Sequence, residues 1–592
     1  MQRREKKHLQ HRIDKFCSLS CLIDIANLLK IKPRSLSYIL YFVHKNRDEL
    51  YRQVILKKKN GGDRHIDIPS PQLKKIQSRL NEYLQDVYWE KKSVHGFLRD
   101  RSIITNASPH KRKKNILNID LKDFFPSIHF GRVFGLFKKA PYNLPPEAAK
   151  VLAQIACNER HLAQGSPCSP IISNMICSKL DRDLEKFASK YKIFYTRYAD
   201  DITFSTNMNS FSKDVCTVTG VNSVSLSDEL NSIITQNGFE INNDKLRHYD
   251  RSSRQEVTGL VVNQFVNVPR TFIRNTRSML HKWETNGIED ASKEYIDKYK
   301  KINSRNSSVN FYKALLGKLN FIYDVRKSAV NKPFFDEQKR RAQVKQDITE
   351  KLYFKFYYQY IKDLPEIAII TEGKTDWMHL KAAYQAKSFP QKYNFSLNFF
   401  ELINKHLPSG EADLMGLANK IKNNDLPDFP RLTIILLDRD NPKYINLHGD
   451  SGIKQWSNNL FSMVLPKECC PQYEHFSIEF LYSKTVRKKK NAKGRQLFLT
   501  DEFDGQGIHK EKKKLKYIGH DGEKIGAKII EGRVVATGKE RGFNYAVTKN
   551  DFAKQILNKT GKFSLVSFSH FSPIFKKIDS IYKAYKKSKK SQ

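Results

Sequence analysis

The sequence predicts an α+β domain, then an α/β domain built on a parallel sheet, then a basic C-terminal extension. Three observations carry that expectation. Between residues 61 and 265 short β-type runs (HIDIP, NILNID, FYTRYADDITFS, VTGLVV) mix with helical patterns at 71–88 and 173–189. After Pro365 strand, turn and helix patterns alternate, as in a parallel sheet with covering helices. The 592 residues carry 105 Lys and Arg against 62 Asp and Glu, a net charge of +43, yet 39% are hydrophobic and 11% aromatic. That is enough apolar material for cores, so the charge points to a polyanionic partner rather than to disorder.

In chain order, residues 1–60 read as a helical entry segment, with Leu22, Ile25, Leu28 and Leu29 on one face before Gly61-Gly62. Residues 61–265 form the α+β domain, 266–325 a helical segment with Lys and Arg on its outer positions, and 326–365 a charged linker whose pattern is also open to helix. Residues 366–480 then run as strand (EIAIIT), turn (EGKTD), helix (WMHLKAAYQA), strand (FSLNFFEL), helix (ADLMGLANKI) and strand (RLTIILLDRD). Residues 481–592 hold 28 basic and 10 acidic residues and no motif that assigns them a role. The eight cysteines show no zinc-finger spacing, which argues against structural zinc and a disulfide framework. No run approaches the roughly 20 apolar residues of a bilayer span, and the segment after Phe16 is broken by Asp24 and Asn27. A reduced, cytoplasmic protein without a membrane partner is expected.

The sharpest chemistry lies at YADD, Tyr198–Asp201, between two β-type runs. That spacing puts adjacent aspartates at a hairpin tip, and Asp120 ends another strand in NIDLKDFFPSI. Clustered carboxylates repel unless a cation neutralises them. Asp120, Asp200 and Asp201 could hold two Mg2+ ions roughly 3.5–4 Å apart, an arrangement suited to in-line phosphoryl transfer. Asp-Asp in a hairpin is also ordinary turn chemistry.

The ordered blocks HIDIPSPQLKKIQ, HGFLRDRSI, NIDLKDFFPSI, AQGSPCSPIISN, RYADD and EVTGL resemble those of the bacterial reverse transcriptases over residues 15–325. NASPH (Asn106–His110) and VTG (Val257–Gly259) match elements that mark retron enzymes. The resemblance implies a right-hand polymerase with fingers and palm at 61–265 and a thumb at 266–325. It also implies that Asp120, Asp200 and Asp201 form the catalytic metal triad. Arg64 would grip the incoming triphosphate, Phe125 would exclude a ribose 2′-OH, and Gln164-Gly165 would pack on the nucleotide. Lys245 would donate a proton to pyrophosphate, or be solvated surface. Asn106 and His110 would serve RNA recognition or positioning, His110 reading equally as a satisfied buried histidine, with Arg270, Arg274, Arg277, Lys282 and Lys318 on phosphates. Partners implied are dNTPs, a structured retron non-coding RNA primed at a guanosine 2′-OH, and its branched RNA–DNA product; an oligomer is left open.

In the second half, Glu372 of EGKTD and Asp438 and Asp440 of LLDRD stand at strand ends that would meet at one sheet edge. A Walker A reading fails because position 368 is Ala. The set resembles the TOPRIM domain, whose glutamate and DxD pair bind one or two Mg2+. Lys374, Asp376 and Glu479 resemble secondary positions of its OLD-type nuclease branch. A retron reverse transcriptase fused to TOPRIM implies an anti-phage system with a toxic effector, here a metal-dependent nuclease. The alternatives are a group II intron-type reverse transcriptase with a maturase role, and an RNA-scaffolding module without nuclease activity.

Overall fold

Ser70 caps the helix Pro71–Val87 by accepting from the Leu73 N–H, and Pro71 supplies the fixed φ of a first helical turn. Leu73, Ile76, Leu80, Leu84 and Val87 recur at three- and four-residue spacing and are buried. The structure, a computed structural model, describes residues 2–42, 50–57, 62–158, 161–220, 223–299, 307–330, 336–373, 375–386, 393–401, 410–518, 528–537 and 543–590. They fall into two units, Met1–Arg274 with Asp324–Gln346, and Asn275–Tyr323 with Asp347–Gln592.

The first unit is built on an antiparallel sheet. Asn115–Lys122 lies between Glu240–Ile241 and Asp201–Thr206, and Phe194–Tyr198 pairs beyond the latter. Arg247–Tyr249 also pairs with Asn115–Lys122. Leu117, Ile119 and Leu121 of the central strand join Leu80, Leu84, Leu152 and Phe204 in one core. Three sequence expectations are corrected here and one open reading is decided. Residues 1–60 are not all helical, because Tyr51–Lys57 is a strand paired with Asp63–Pro69. The helix expected at 173–189 is two helices, Ser169–Ile176 and Ser178–Lys190, meeting at Cys177. VTGLVV is a tight hairpin of Glu256–Val257 and Leu260–Val261, turning through Thr258 (φ 46°) and Gly259 (φ 77°). Positive φ at both turn residues matches the right-handed strand twist. Of the two readings of 326–365, linker and helix, the structure takes the second with the helix Asp336–Asp363.

The second unit holds a five-stranded sheet in the order Leu397–Phe399, Ile367–Thr371, Thr433–Leu437, Leu460–Val464, Ile453–Gln455. The first four are parallel and the last is an antiparallel edge. Side chains alternate between two cores, as strands buried on both faces require. Ile367, Ile369, Ile434 and Leu436 face Phe552, Ile556, Phe571, Ile574 and Ile578, so the expected basic tail is instead one cover of the sheet. Ala368, Ile370, Ile435 and Leu437 face Leu280, Trp283, Phe311, Leu315, Phe356 and Tyr357. Trp283 Nε1 and the Tyr312 hydroxyl both donate to Asp363, 2.8 and 2.9 Å away, tying that second cover together. Among the described residues no helix is long and apolar enough to cross a membrane.

Candidate functional site

The hairpin Phe194–Tyr198/Asp201–Thr206 leaves Ala199 and Asp200 as its two-residue loop, with Ala199 at φ 57°. Asp201 stands opposite Asp120 on the neighbouring strand, and the Leu121 N–H donates to the Asp200 carbonyl at 3.1 Å. Three carboxylates of two strands are thereby gathered at one end of the sheet. Burial, with Asp200 and Asp120 nearby, pushes the Asp201 carboxyl up to about 7. Burial and Asp120 also raise Asp200, against Lys245 and Arg64. Asp120 accepts from Lys245 Nζ at 2.8 Å and from Asn242 Nδ2 at 3.1 Å. Lys245 is thus bound to the triad rather than free on the surface. Burial works against its charge, yet Asp120, Asp200 and Asp201 hold its pKa above the ordinary lysine value.

The turn is braced from beneath by residues that sequence reading missed. Arg197 is fully buried and grips Asp181 with two parallel bonds, Nε to Oδ1 at 2.7 Å and Nη2 to Oδ2 at 2.8 Å. Its Nη1 donates to the Ala199 carbonyl at 3.0 Å. Gly96 leaves room behind, since a Cβ there would stand 2.5 Å from the Ala199 nitrogen. Phe125, half-buried, touches Phe124 and Phe97, and Phe97 in turn meets Tyr198. The Gln164 carbonyl accepts from the Asp67 N–H at 2.8 Å. Gly165 (φ 141°) passes so close to the Asp67 carbonyl that a Cβ would lie 2.4 Å from it. Arg64 is exposed on Asp63–Pro69, as are Arg270, Arg274 and Arg277 on the helical segment Arg270–Tyr299, which kinks at Gly287 (φ 82°). Beside the triad opens a cavity of about 300 Å³, lined by Asp120, Asp201, Lys245, Arg247, Thr258 and Gly259 among others.

Asn106 lies inside the fold rather than on a surface that RNA could touch, and of the two readings of His110 the structure takes the satisfied, buried histidine. Both are fully buried. His110 Nδ1 and Nε2 lie 2.7 and 2.8 Å from the Ser205 and Thr196 hydroxyls on the two hairpin strands. Asn106 Nδ2 donates to Thr258 Oγ1 at 3.4 Å. NASPH and VTG therefore meet behind the acidic turn. Burial drops the His110 pKa to about 3, so it stays neutral.

In the second unit the ends of Ile367–Thr371 and Thr433–Leu437 lie side by side, with the Glu372 N–H donating to the Leu436 carbonyl. Glu372, Glu411 and Asp440 each place an oxygen within 4.8 Å of the others. The expected trio was Glu372, Asp438 and Asp440, and Asp438 sits differently. Its N–H donates to Glu372 Oε2 at 3.2 Å, while its Oδ1 accepts from the Ile478 N–H at 3.0 Å. Burial, then Asp376 and Glu479, raise its pKa well above the carboxylate range. Asp376 accepts from the Gly373 N–H at 2.7 Å, and a Cβ on Gly373 would stand 2.6 Å from that carboxylate. Fully buried Glu479 stands 3.6 Å from Lys549, which counters its burial. Lys374 lies outside the described residues. Glu411, which sequence reading missed, opens the helix Glu411–Lys422; Oε2 accepts from Asn441 Nδ2 at 2.6 Å, while Oε1 is buried without a hydrogen-bond partner. An orphaned carboxylate oxygen among acids fits a hard divalent cation.

A family model described as reverse transcriptase (RNA-dependent DNA polymerase) matches residues 55–262. Retron Mx65 reverse transcriptase of Myxococcus xanthus is 32% identical over 292 residues, covering 46% of this chain and 65% of that protein. Retron Mx162 reverse transcriptase of the same organism is 34% identical over 279 residues, 43% of this chain and 57% of its own length. Retron Ec86 reverse transcriptase of Escherichia coli is 35% identical over 263 residues, 44% of this chain and 77% of that protein. The chain thus spans less than two thirds of both Myxococcus relatives.

Proposed function

The chain belongs to the retron reverse transcriptases, and we propose that it is an RNA-directed DNA polymerase that copies a structured non-coding RNA from a guanosine 2′-OH into a branched RNA–DNA. The observation that carries this reading is the convergence of Asp120, Asp200 and Asp201 on one sheet end, countered chiefly by Lys245. Asp120, Asp200 and Asp201 would hold two Mg2+ ions, supplying activation of the attacking hydroxyl and stabilisation of the leaving pyrophosphate. Lys245 holds a proton at Nζ beside Asp120 and would pass it to the leaving pyrophosphate. Arg64 offers a planar guanidinium for the triphosphate, and Phe125 a ring against the sugar edge that would bear a 2′-OH. Gly165 keeps the backbone flat where a base pair would pack.

For the second unit the reading is a TOPRIM-type, divalent-metal nuclease, acting as the effector of anti-phage defence and restrained by the RNA–DNA product. Its support is the trio Glu372, Glu411 and Asp440 at the end of a parallel sheet. Purified full chain, freed of its own product and given Mg2+ or Mn2+, is expected to cut RNA or DNA. Persistent inactivity would retire the nuclease and leave the polymerase reading standing.

The decisive experiment expresses the chain with its upstream DNA and runs extracted nucleic acid on a denaturing gel with and without RNase. A discrete DNA band that shortens but survives RNase, and is lost with Asp200→Asn, is expected. The variant should lower synthesis at least ~100-fold while sparing RNA binding, since it removes charge and keeps shape. Near-wild-type synthesis by Asp200→Asn would overturn the site.

A further inference from the structure

A cavity of about 250 Å³ opens in the segment after Tyr473, remote in sequence from either acidic cluster's strands. Its lining includes Tyr473, Lys484, Arg487, Lys488, Leu497 and His509, with Lys510 at its rim. Arg487 is 9% exposed, and its Nε and Nη1 are buried without a hydrogen-bond partner. The guanidinium rests over the Phe480 ring at 4.9 Å, which fixes its plane and leaves its N–H edge unsatisfied. His509 is 1% exposed. Its Nδ1 accepts from the Glu511 and Lys512 N–H groups at 3.2 and 3.0 Å, so the ring hydrogen sits on Nε2. That Nε2 also has no partner. Three buried N–H donors therefore lack a hydrogen-bond partner on two residues that line one cavity, although the His509 ring also packs edge-on against Phe498 and Phe503. Buried donors are nearly always paired, and unpaired ones call for a ligand or a function.

The surrounding charges give the missing acceptor its sign. Asp501, Glu502 and Glu511 also line the cavity, but Glu502 Oε1 lies 3.2 Å from Lys488 Nζ and its Oε2 accepts from the Leu499 N–H. Glu511 lies 4.0 Å from the same lysine. Lys488 is thus spent on the glutamates, whereas Lys484, Arg487 and Lys510 make no ion pair among the described residues and stand against one exposed acid, Asp501. An arginine edge flanked by two lysines suits a phosphate dianion. Tyr473, Leu497 and Leu499 add an apolar wall on which a base could lie. The size is that of a small ligand.

We propose that this cavity binds the terminal phosphate monoester of a nucleotide, either free or at the end of a strand. Arg487 grips the phosphate, His509 Nε2 donates to it, and Lys484 and Lys510 draw it in. The inference does not depend on the polymerase or nuclease readings.

The test uses the full chain and calorimetry with dAMP, deoxyadenosine, and a ten-nucleotide DNA bearing either a 5′-phosphate or a 5′-hydroxyl. A free-nucleotide site binds dAMP about tenfold or more tighter than deoxyadenosine; a strand-end site shows that preference only between the two oligonucleotides. Lys484→Ala/Lys510→Ala, both exposed and safe for folding, should erase the preference, and Arg487→Gln should do so wherever it folds. Equal binding with and without the phosphate in both pairs, or a preference untouched by the lysine double variant, would overturn the proposal. DNA synthesis by the double variant should remain at the wild-type level.

Discussion

At Glu372, burial and the neighbouring Glu411, Asp440 and Asp376 push the carboxyl pKa from the ordinary 4.5 up to about 8. A folded-state acid with a raised pKa keeps a proton that the unfolded chain has lost. Its contribution to metal-free stability is therefore present at low pH and declines as pH rises through that interval. A divalent ion needs the ionised form, so Mn2+ should raise the melting temperature more at pH 8.5 than at pH 6.5, and Glu372→Gln should remove the difference. An equal shift at both pH values would sink the site. On the polymerase side, Phe125→Ala should weaken the preference for dNTP over NTP by about tenfold or more, read from competition between the two pools. An unchanged ratio would remove the gate. Asp120, Asp200, Asp201, Glu372 and Asp440 were legible because each adjoins a strand pattern. Glu411 was not, because an acid opening a helix is ordinary complement to the helix dipole and nothing local tells it from a ligand. Asn106 and His110 were legible as a motif, but burial, which a motif does not print, decided what they do.

The hairpin that carries Asp200 and Asp201 depends on an ion pair one layer below. Arg197 and Asp181 are both fully buried. Removing one charge strands the other, so Arg197→Met should cost roughly 3–5 kcal/mol in urea denaturation, with Asp181→Asn added in the same chain recovering part of it. A loss under roughly 1 kcal/mol would mean that the pair is incidental. The hairpin itself was readable from its two β-type runs. Tyr51–Lys57 was not, because Ile55 and Leu56 are both exposed on a two-stranded ribbon and no alternation of apolar and polar residues marks it. VTG read as continuous strand for a related reason, since Thr258 is a β-former held in a left-handed turn. Its hydroxyl meets Asn106, which ties the two motifs into one support.

The whole chain does not divide where its composition changes. Residues 481–592 look like a separate basic tail because many of their charges face solvent, while Phe552, Phe571, Ile574 and Ile578 lie against the parallel sheet. The stretch 326–365 looks like a linker for the same reason, yet Phe356, Tyr357 and Ile361 cover the opposite face. Periodicity named the strands, and only packing shows what covers them. A fragment of residues 366–480 should accordingly be insoluble, and one ending at residue 325 should expose Leu280, Trp283 and Phe311 and aggregate, whereas the full chain stays monodisperse in size-exclusion chromatography. Soluble, cooperatively melting fragments would contradict this architecture. The two-sided cover also orders events during synthesis. Ile574, Ile578 and Ile581 on the helix Ser572–Lys590 leave the ribosome long after the strands they cover. At roughly 5–20 residues per second, Glu372, Glu411 and Asp440 wait on the order of ten seconds for that helix. On the effector reading proposed above, acids that mature last would give a nascent chain time to fold its first unit before the second could act.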